Sequence, residues 1–554
     1  MVAISDREPC SRYEVLYIWI MDAAALLENP PPPTLVVTPW SGSRGQDLLG
    51  LRAPAERIAN DLMDGVTTIS PLVRYLSFRS WVIHRYTELR GPNRRAEFYA
   101  FAGKCEAALV MGHKVAGEPT TFLIGSREAG KEALAGGPLS VRRLTANLAV
   151  DAYSGPSQDL SIGIPIAPVP GLSKERGVPL AEAAGQILDD QPALARIEVS
   201  TEPQPLSREE AIALAAAFPM RAPLGRERDH LVDAVCPPSP RPNEFARLAA
   251  YCHLLHLAGE AGGRAIREAD VFRSAIIGDD DAPPPLRGVA DGWLRFLVRD
   301  LLAAVHERAV AVVLDMLQES PQFTQDVEGI VRRLADLDTA QAYGPLGLPP
   351  LGPGRPISEL VDAVRERCAP DRERSGLARW PGDLHEASLM DALAACPGPE
   401  ALALLPVAWI LASERARPGL GDPALSVDAR SGAALGRLGL AEFVAPAVRR
   451  WRGNGERIGD VVGALARRSV DQHLSIAWYR MQADPSRNVS LIVSDGSSWT
   501  AVRPLGPGRA TSRLYQAIHW LEQLGLADAG GTTADGRAVL ERGLKSLEAR
   551  RHLP

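Results

Sequence analysis

The stretch Arg509-Ala-Thr-Ser-Arg-Leu-Tyr-Gln-Ala-Ile-His-Trp-Leu-Glu-Gln-Leu-Gly-Leu526, with Gly530-Gly-Thr-Thr-Ala-Asp-Gly-Arg537 close behind it, decides how the chain is read. Thr511 or Ser512 can start a helix, because a short hydroxyl side chain satisfies a free N–H of the first turn. Leu514, Ala517, Ile518, Leu521 and Leu524 recur at three- and four-residue spacing and form one apolar stripe. Gly525 can adopt the left-handed conformation that ends such a helix. Gly530 and Gly531 mark a tight turn, and Thr533-Ala534-Asp535 can cap a second helix carrying Val539, Leu540 and Leu544. Helix, tight strand-turn, helix is the order of a winged-helix unit. Opposite the stripe stand Arg513, Gln516, His519 and Gln523, all able to hydrogen-bond bases or phosphates.

Upstream of this stretch, residues 489–493 alternate as a strand, Asp495-Gly496 signals a turn, and residues 499–502 can return as the partner strand. Before them lie a helix through Arg467 and Arg468, and Arg449-Arg450-Trp451-Arg452, read as a basic turn. Phosphate neutralisation is what a docking face needs. The expected DNA-binding set is therefore Arg467, Arg468, Arg509, Ser512, Arg513, Gln516 and His519, with double-stranded DNA as the partner. The rival reading is a winged helix that contacts other protein subunits, since a fold does not fix a function.

The chain has 554 residues, enough for several domains of roughly 100–200 residues each. At 46% hydrophobic and 23% charged residues it is an ordinary globular composition, able to build cores. Lys104, Lys114, Lys131, Lys174 and Lys545 are its only lysines, so 56 of the 61 basic residues are arginine. With abundant Ala, Gly and Pro, that bias looks like a GC-rich bacterial genome, which weakens arginine as evidence for nucleic acid. The net charge of −6 requires any nucleic-acid surface to be a local patch. The six cysteines stand singly, without a CxxC pair, which argues against a zinc ribbon and against a secreted disulfide framework. The apolar run from Leu16 to Met21 is far too short to span a membrane and is followed by Asp22. A cytoplasmic protein without a membrane partner is expected, with translation starting at Met1 or Met21.

Along the chain, residues 1–33 read as an arm ending in the stiff Pro30 to Pro33 spacer. Residues 34–138 read as a helical domain with a short strand at 34–38. Within it, Arg74, Phe78, Trp81 and Arg85 share a helix face, read as an aromatic core with arginines reaching outward or as a base-stacking surface. Residues 139–200 are a candidate second winged-helix-like unit, its echo lying in 139–190. There a helix is expected from Arg142, a turn at Gly155-Pro156, a strand at 160–164 and a second helix through Leu180. A helical domain follows at 201–343, opened by a Ser207/Glu210 capping box. The Gly/Pro-rich run 344–357 reads as a linker, 358–455 as another helical domain and 456–554 as the C-terminal winged-helix domain. The fold class expected is mainly α and multi-domain.

Catalytic motifs fail residue by residue. Gly125-Ser-Arg-Glu-Ala-Gly130-Lys131 fits GxxxxGK, but Glu132 stands where a phosphate loop needs Ser or Thr for Mg²⁺, so an ordinary loop is expected. Cys252, His256 and Glu260 would line one helix face as metal ligands, yet no second cluster completes a coordination sphere. His306-Glu307 begins like HExxH, but Val310 replaces the second histidine. Asp279-Asp280-Asp281 is an acidic loop tip. No catalytic residue, cofactor or metal is assigned. A nuclease or other enzyme whose acids converge only in three dimensions stays open as an alternative.

The segment from Leu51-Arg-Ala-Pro-Ala-Glu-Arg-Ile58 to Trp81, together with the C-terminal segment, resembles uncharacterised bacterial proteins that combine helical domains with winged-helix units and accompany phage-defence or mobile-element genes. That resemblance, carried by about a third of the chain, implies a DNA-associated role and assigns no catalytic residue. The leading expectation is a DNA-associating or adaptor subunit. A protein-interaction scaffold without nucleic acid is the third reading.

Overall fold

The structure is a computed structural model, which describes residues 47–134, 137–278, 282–368, 384–415, 438–483, 489–506 and 508–551. The N-terminal arm, the strand at 34–38 and the Asp279–Asp281 loop lie outside these residues. Helices dominate, and every strand is two to four residues long, so the chain is mainly α. The described residues form two compact units: 47–58, 275–278 and 293–510 make one, and 59–274, 282–292 and 511–551 make the other. Each unit draws on segments far apart in sequence, an interleaving that composition and linker signals do not reveal.

The first unit is centred on the helix Leu404–Arg415, whose residues from Leu404 to Ser413 are all buried. The run Leu-Leu-Pro-Val-Ala-Trp-Ile-Leu-Ala has no polar face, and a helix apolar all round belongs inside a core. Helices Ile357–Arg367, Ala445–Trp451 and Ile458–Ala483 pack around it. Arg449 to Trp451, read from sequence as a turn, belong to the second of these. Helix Val327–Ala335 buries Val327, Ile330 and Leu334, and Asp326 caps it by accepting the Gly329 N–H at 3.0 Å. It crosses Ile458–Ala483 at Gly459 and Gly463; a Cβ on Gly459 would stand 1.9 Å from the Ala335 carbonyl oxygen, so only glycine permits this approach.

The expected hairpin is present in this unit: Ile492–Ser494 pairs antiparallel with Ser498–Ala501, with Val493 opposite Thr500. Asp495 accepts the N–H groups of Ser497 and Ser498 at 2.9 and 2.6 Å, and Gly496 takes φ +94°. A third strand, Thr324–Asp326, pairs on the other side of Ser498–Ala501; its Pro-Gln-Phe-Thr lead-in reads as a turn and hides it. The Gly/Pro run 344–357 is packed into the core through Leu346, Leu348 and Leu351. Its leucines, not its glycines, decide its place.

In the second unit, helix Tyr75–Glu88 buries ten of its 14 residues, including Tyr75, Phe78, Trp81 and Tyr86. The aromatic core is as expected, but the arginines do not all reach outward. Arg74 and Arg79 are buried. Arg74 meets Glu227 through Nε at 2.9 Å and Nη2 at 2.6 Å, donates to the Pro219 carbonyl at 2.7 Å, and lies 3.6 Å from the Phe218 ring centre. The Ser77 hydroxyl completes the Glu227 carboxylate at 2.5 Å. Helices Arg95–Val115 and Arg208–Ala217 cross at Gly112, where a Cβ would stand 2.2 Å from the Ala211 carbonyl. Ser207 caps the latter by accepting the Glu210 N–H at 3.1 Å.

Residues 142–144 are not helical. Leu139–Val141 pairs with Gln204–Leu206, and this long-range ladder overrides the local helical spacing. Gly155 and Pro156 lie inside a short helix, Ser154–Asp159, with proline near its start where no N–H is missed. The strand expected at 160–164 shrinks to Gly163–Ile164, paired with Gly171–Leu172 ahead of helix Gly177–Leu188. Helix, two-residue hairpin, helix recurs at the C-terminus as Leu514–Gln523, Ala527–Asp528 with Gly531–Thr532, and Ala534–Arg551.

Candidate interaction face

Helix Leu514–Gln523 forms as its sequence dictates. Leu514, Ala517, Ile518 and Leu521 are buried, and the Ser512 hydroxyl accepts the Leu514 N–H at 3.1 Å. The helix closes on Gly525 at φ +66°, with the Leu526 N–H bonded to the Leu521 carbonyl and the Gly525 N–H to Glu522. Arg228 Nε donates to the Leu524 carbonyl at 2.7 Å, a cation at the negative end of the helix, and its Nη2 pairs with Asp535. Thr533 then caps the last helix through the Gly536 N–H at 3.1 Å.

The face opposite the stripe is turned to its own protein. Arg513 donates to the Val66 carbonyl at 2.7 Å, and Gln516 to the Thr68 carbonyl at 3.4 Å. Gln523 donates to the Pro71 carbonyl at 2.6 Å while its Oε1 accepts the Val73 N–H at 3.1 Å. Residues 66–71 lack regular structure, so their backbone groups need side-chain partners, and these long side chains supply them. The Ser512 hydroxyl donates to Glu268, and His519 Nδ1 lies 2.6 Å from Glu522.

The other three expected DNA contacts belong to the first unit. Arg509 pairs with buried Asp300 at 2.8 Å, and the Ala510 N–H reaches the same carboxylate. Arg467 pairs with Glu328 at 2.7 Å. Arg468 stacks over the Phe443 ring at 4.0 Å, and burial pushes its pKa down to about 10. The seven residues thus fall into two units, each with an intramolecular partner.

On the Leu514–Gln523 helix, Tyr515 and Glu522 are left exposed. Tyr515 is 45% exposed. Its ring meets His519 edge-on at 4.3 Å and lies 6.2 Å from Phe122, whose ring has the Arg221 guanidinium 5.8 Å from its centre. Ile69 stands 62% exposed between Thr68, which anchors Gln516, and Ser70, whose hydroxyl donates to the Phe122 carbonyl. Tyr515 was legible at i, i+4 from His519. Phe122 and Arg221 had no sequence signal, because only tertiary packing brings residues 69, 122, 221 and 515 together.

The catalytic candidates resolve as structure. Gly130 and Lys131 lie within helix Ser126–Leu134, not in a loop. Cys252 is buried on Phe245–Glu260 while Glu260 is exposed. No group of three or more His, Cys, Asp or Glu able to hold a metal ion occurs among the described residues. His306 Nε2 accepts the Trp409 indole N–H at 3.0 Å, which leaves Nδ1 to donate to Ser469 at 2.7 Å. Burial pushes its pKa down to about 3. Glu307 accepts from Arg52 Nε at 2.6 Å and from the Gly508 N–H at 2.8 Å. No helix among the described residues is long and apolar enough to cross a membrane. Compared with protein-family models, curated proteins and solved structures, the chain matches none.

Proposed function

We propose that this chain is an adaptor subunit that holds a macromolecular partner on the Tyr515 face of its second unit, of the kind that accompanies phage-defence genes. One observation carries the reading: the polar side chains that would read a duplex are bonded to the protein's own backbone, while Tyr515, His519, Phe122, Ile69 and Arg221 remain at the surface together. Exposed Tyr and Arg around an apolar contact are the residue types that concentrate binding energy at interfaces. The helix–hairpin–helix unit then acts as a winged helix whose recognition helix is docked inward along one side and presents its remaining side to the partner. Affinity purification from the source cell tests this. The wild-type chain retains a partner that a Tyr515→Ala/Arg221→Glu variant with unchanged thermal stability releases. Equal retention by both proteins rejects the face.

A further inference from the structure

We infer that the occupant of this face is single-stranded nucleic acid, an inference that rests on the adaptor reading and names its ligand. Two properties of the face coincide. The first is a set of π surfaces: Tyr515, 45% exposed, with Phe122 and His519 beside it. Unpaired bases stack on such side chains regardless of sequence, because every base has a π face. The second is unneutralised positive charge in a chain of net charge −6. Arg221, whose guanidinium stands over Phe122, is exposed and holds no carboxylate among the described residues; exposed Arg127 and Arg226 are its neighbours along the chain, after Phe122 and after Arg221 respectively. Asp535 is paired with Arg228, and His519 contacts Glu522. A single strand supplies both phosphates for the arginines and bases for the rings. A duplex hides its base faces and would need the groove-reading contacts that Arg513, Gln516 and Gln523 spend on residues 66–73.

Fluorescence anisotropy of a labelled oligothymidylate 20-mer, beside a duplex of the same length, tests the inference on the full chain. The expected result is salt-sensitive single-strand binding that exceeds duplex binding. Tyr515→Ala weakens it about tenfold and Tyr515→Phe keeps it, as loss and retention of a stacking ring require. Arg457→Ala, which removes an exposed cation from the first unit, leaves it unchanged. Preference for the duplex, or single-strand binding that Tyr515→Ala does not alter, overturns the inference. Absence of oligonucleotide binding overturns it too. If the Tyr515→Ala/Arg221→Glu variant still loses a protein partner in that case, the adaptor reading stands and only the ligand falls.

Discussion

Two aromatic helices in the second unit, each preceded by an arginine (Arg74 and Arg513), look alike as sequence and end in opposite situations. On Tyr75–Glu88 the aromatics are buried, and the preceding Arg74 is sealed under them against Glu227 and Phe218. On Leu514–Gln523 Tyr515 stays outside, and the arginine nearest its cluster, Arg221, has no carboxylate among the described residues. The difference lies in partners distant along the chain. Glu227 stands 153 residues from Arg74 and converts an apparent nucleic-acid contact into an internal ion pair. Arginine next to aromatic residues is therefore no evidence of a binding face until its counter-ion is located.

The largest expected effect tests that distinction at Arg74. Glu227→Gln leaves a buried guanidinium without its charge partner and should cost about 3–5 kcal/mol of unfolding free energy. Replacing both partners with apolar residues of similar size, Arg74→Met with Glu227→Leu, should recover most of the loss, since a buried pair is often no more stable than its hydrophobic substitute. Denaturant titration reads both. If the double variant is as unstable as the single, the pair has a role beyond mutual compensation.

Beside its buried ion pairs the first unit holds two buried histidines uncharged, and pH separates that strategy from ion pairing. Burial holds His306 at about 3 and His473 at about 4. Unfolded histidine titrates near 6.5, so below that pH the unfolded chain binds protons that the folded chain refuses. The stability of the neutral form is complete above about pH 6.5 and is lost toward pH 4, by about 1.4 kcal/mol per pH unit for each histidine. Asp471 in the same unit and Glu106 in the second unit are raised by burial to about 6 and about 7, and they act in the opposite direction, favouring the folded chain as pH falls through those values. His306→Gln isolates one histidine: its stability curve between pH 6 and 4.5 should be flatter than wild type by about 1.4 kcal/mol per unit. Parallel curves would mean that His306 protonates in the folded state.

These outcomes bear on what sequence can reveal. The C-terminal helix, its Gly525 stop and the Asp495-Gly496 hairpin were all legible, because each rests on neighbours within a few residues; the helix start was not, since Arg513 at φ +65°, and not Thr511 or Ser512, occupies the cap position. The strand Thr324–Asp326 was not, since it exists through pairing with residues some 170 positions away along the chain. The same limit governs the face. Periodicity correctly separated the apolar stripe from the polar side of Leu514–Gln523. It could not say that residues 66–73 would occupy that polar side and leave Tyr515 beside Phe122 and Arg221.

Smaller effects sharpen the account of the two sides of that helix. Gln523→Ala removes the hydrogen bonds to Pro71 and Val73 and should cost about 1–2 kcal/mol, with faster hydrogen exchange at Val73. Unchanged exchange there would show that the amide does not anchor the segment. Arg221→Glu, at an exposed side chain, should change stability by less than about 0.5 kcal/mol while abolishing partner retention. Destabilisation comparable to Gln523→Ala would make Arg221 a structural residue and remove it from the face.

The most direct measurement places a photo-crosslinking amino acid at Tyr515 and, in a second protein, at Tyr479, which is 51% exposed in the first unit. Irradiated in the source cell, the Tyr515 protein should form a slower-migrating adduct, and the Tyr479 protein should not. Adducts of equal yield at both positions, or none at Tyr515, would contradict the assignment of the partner to this face.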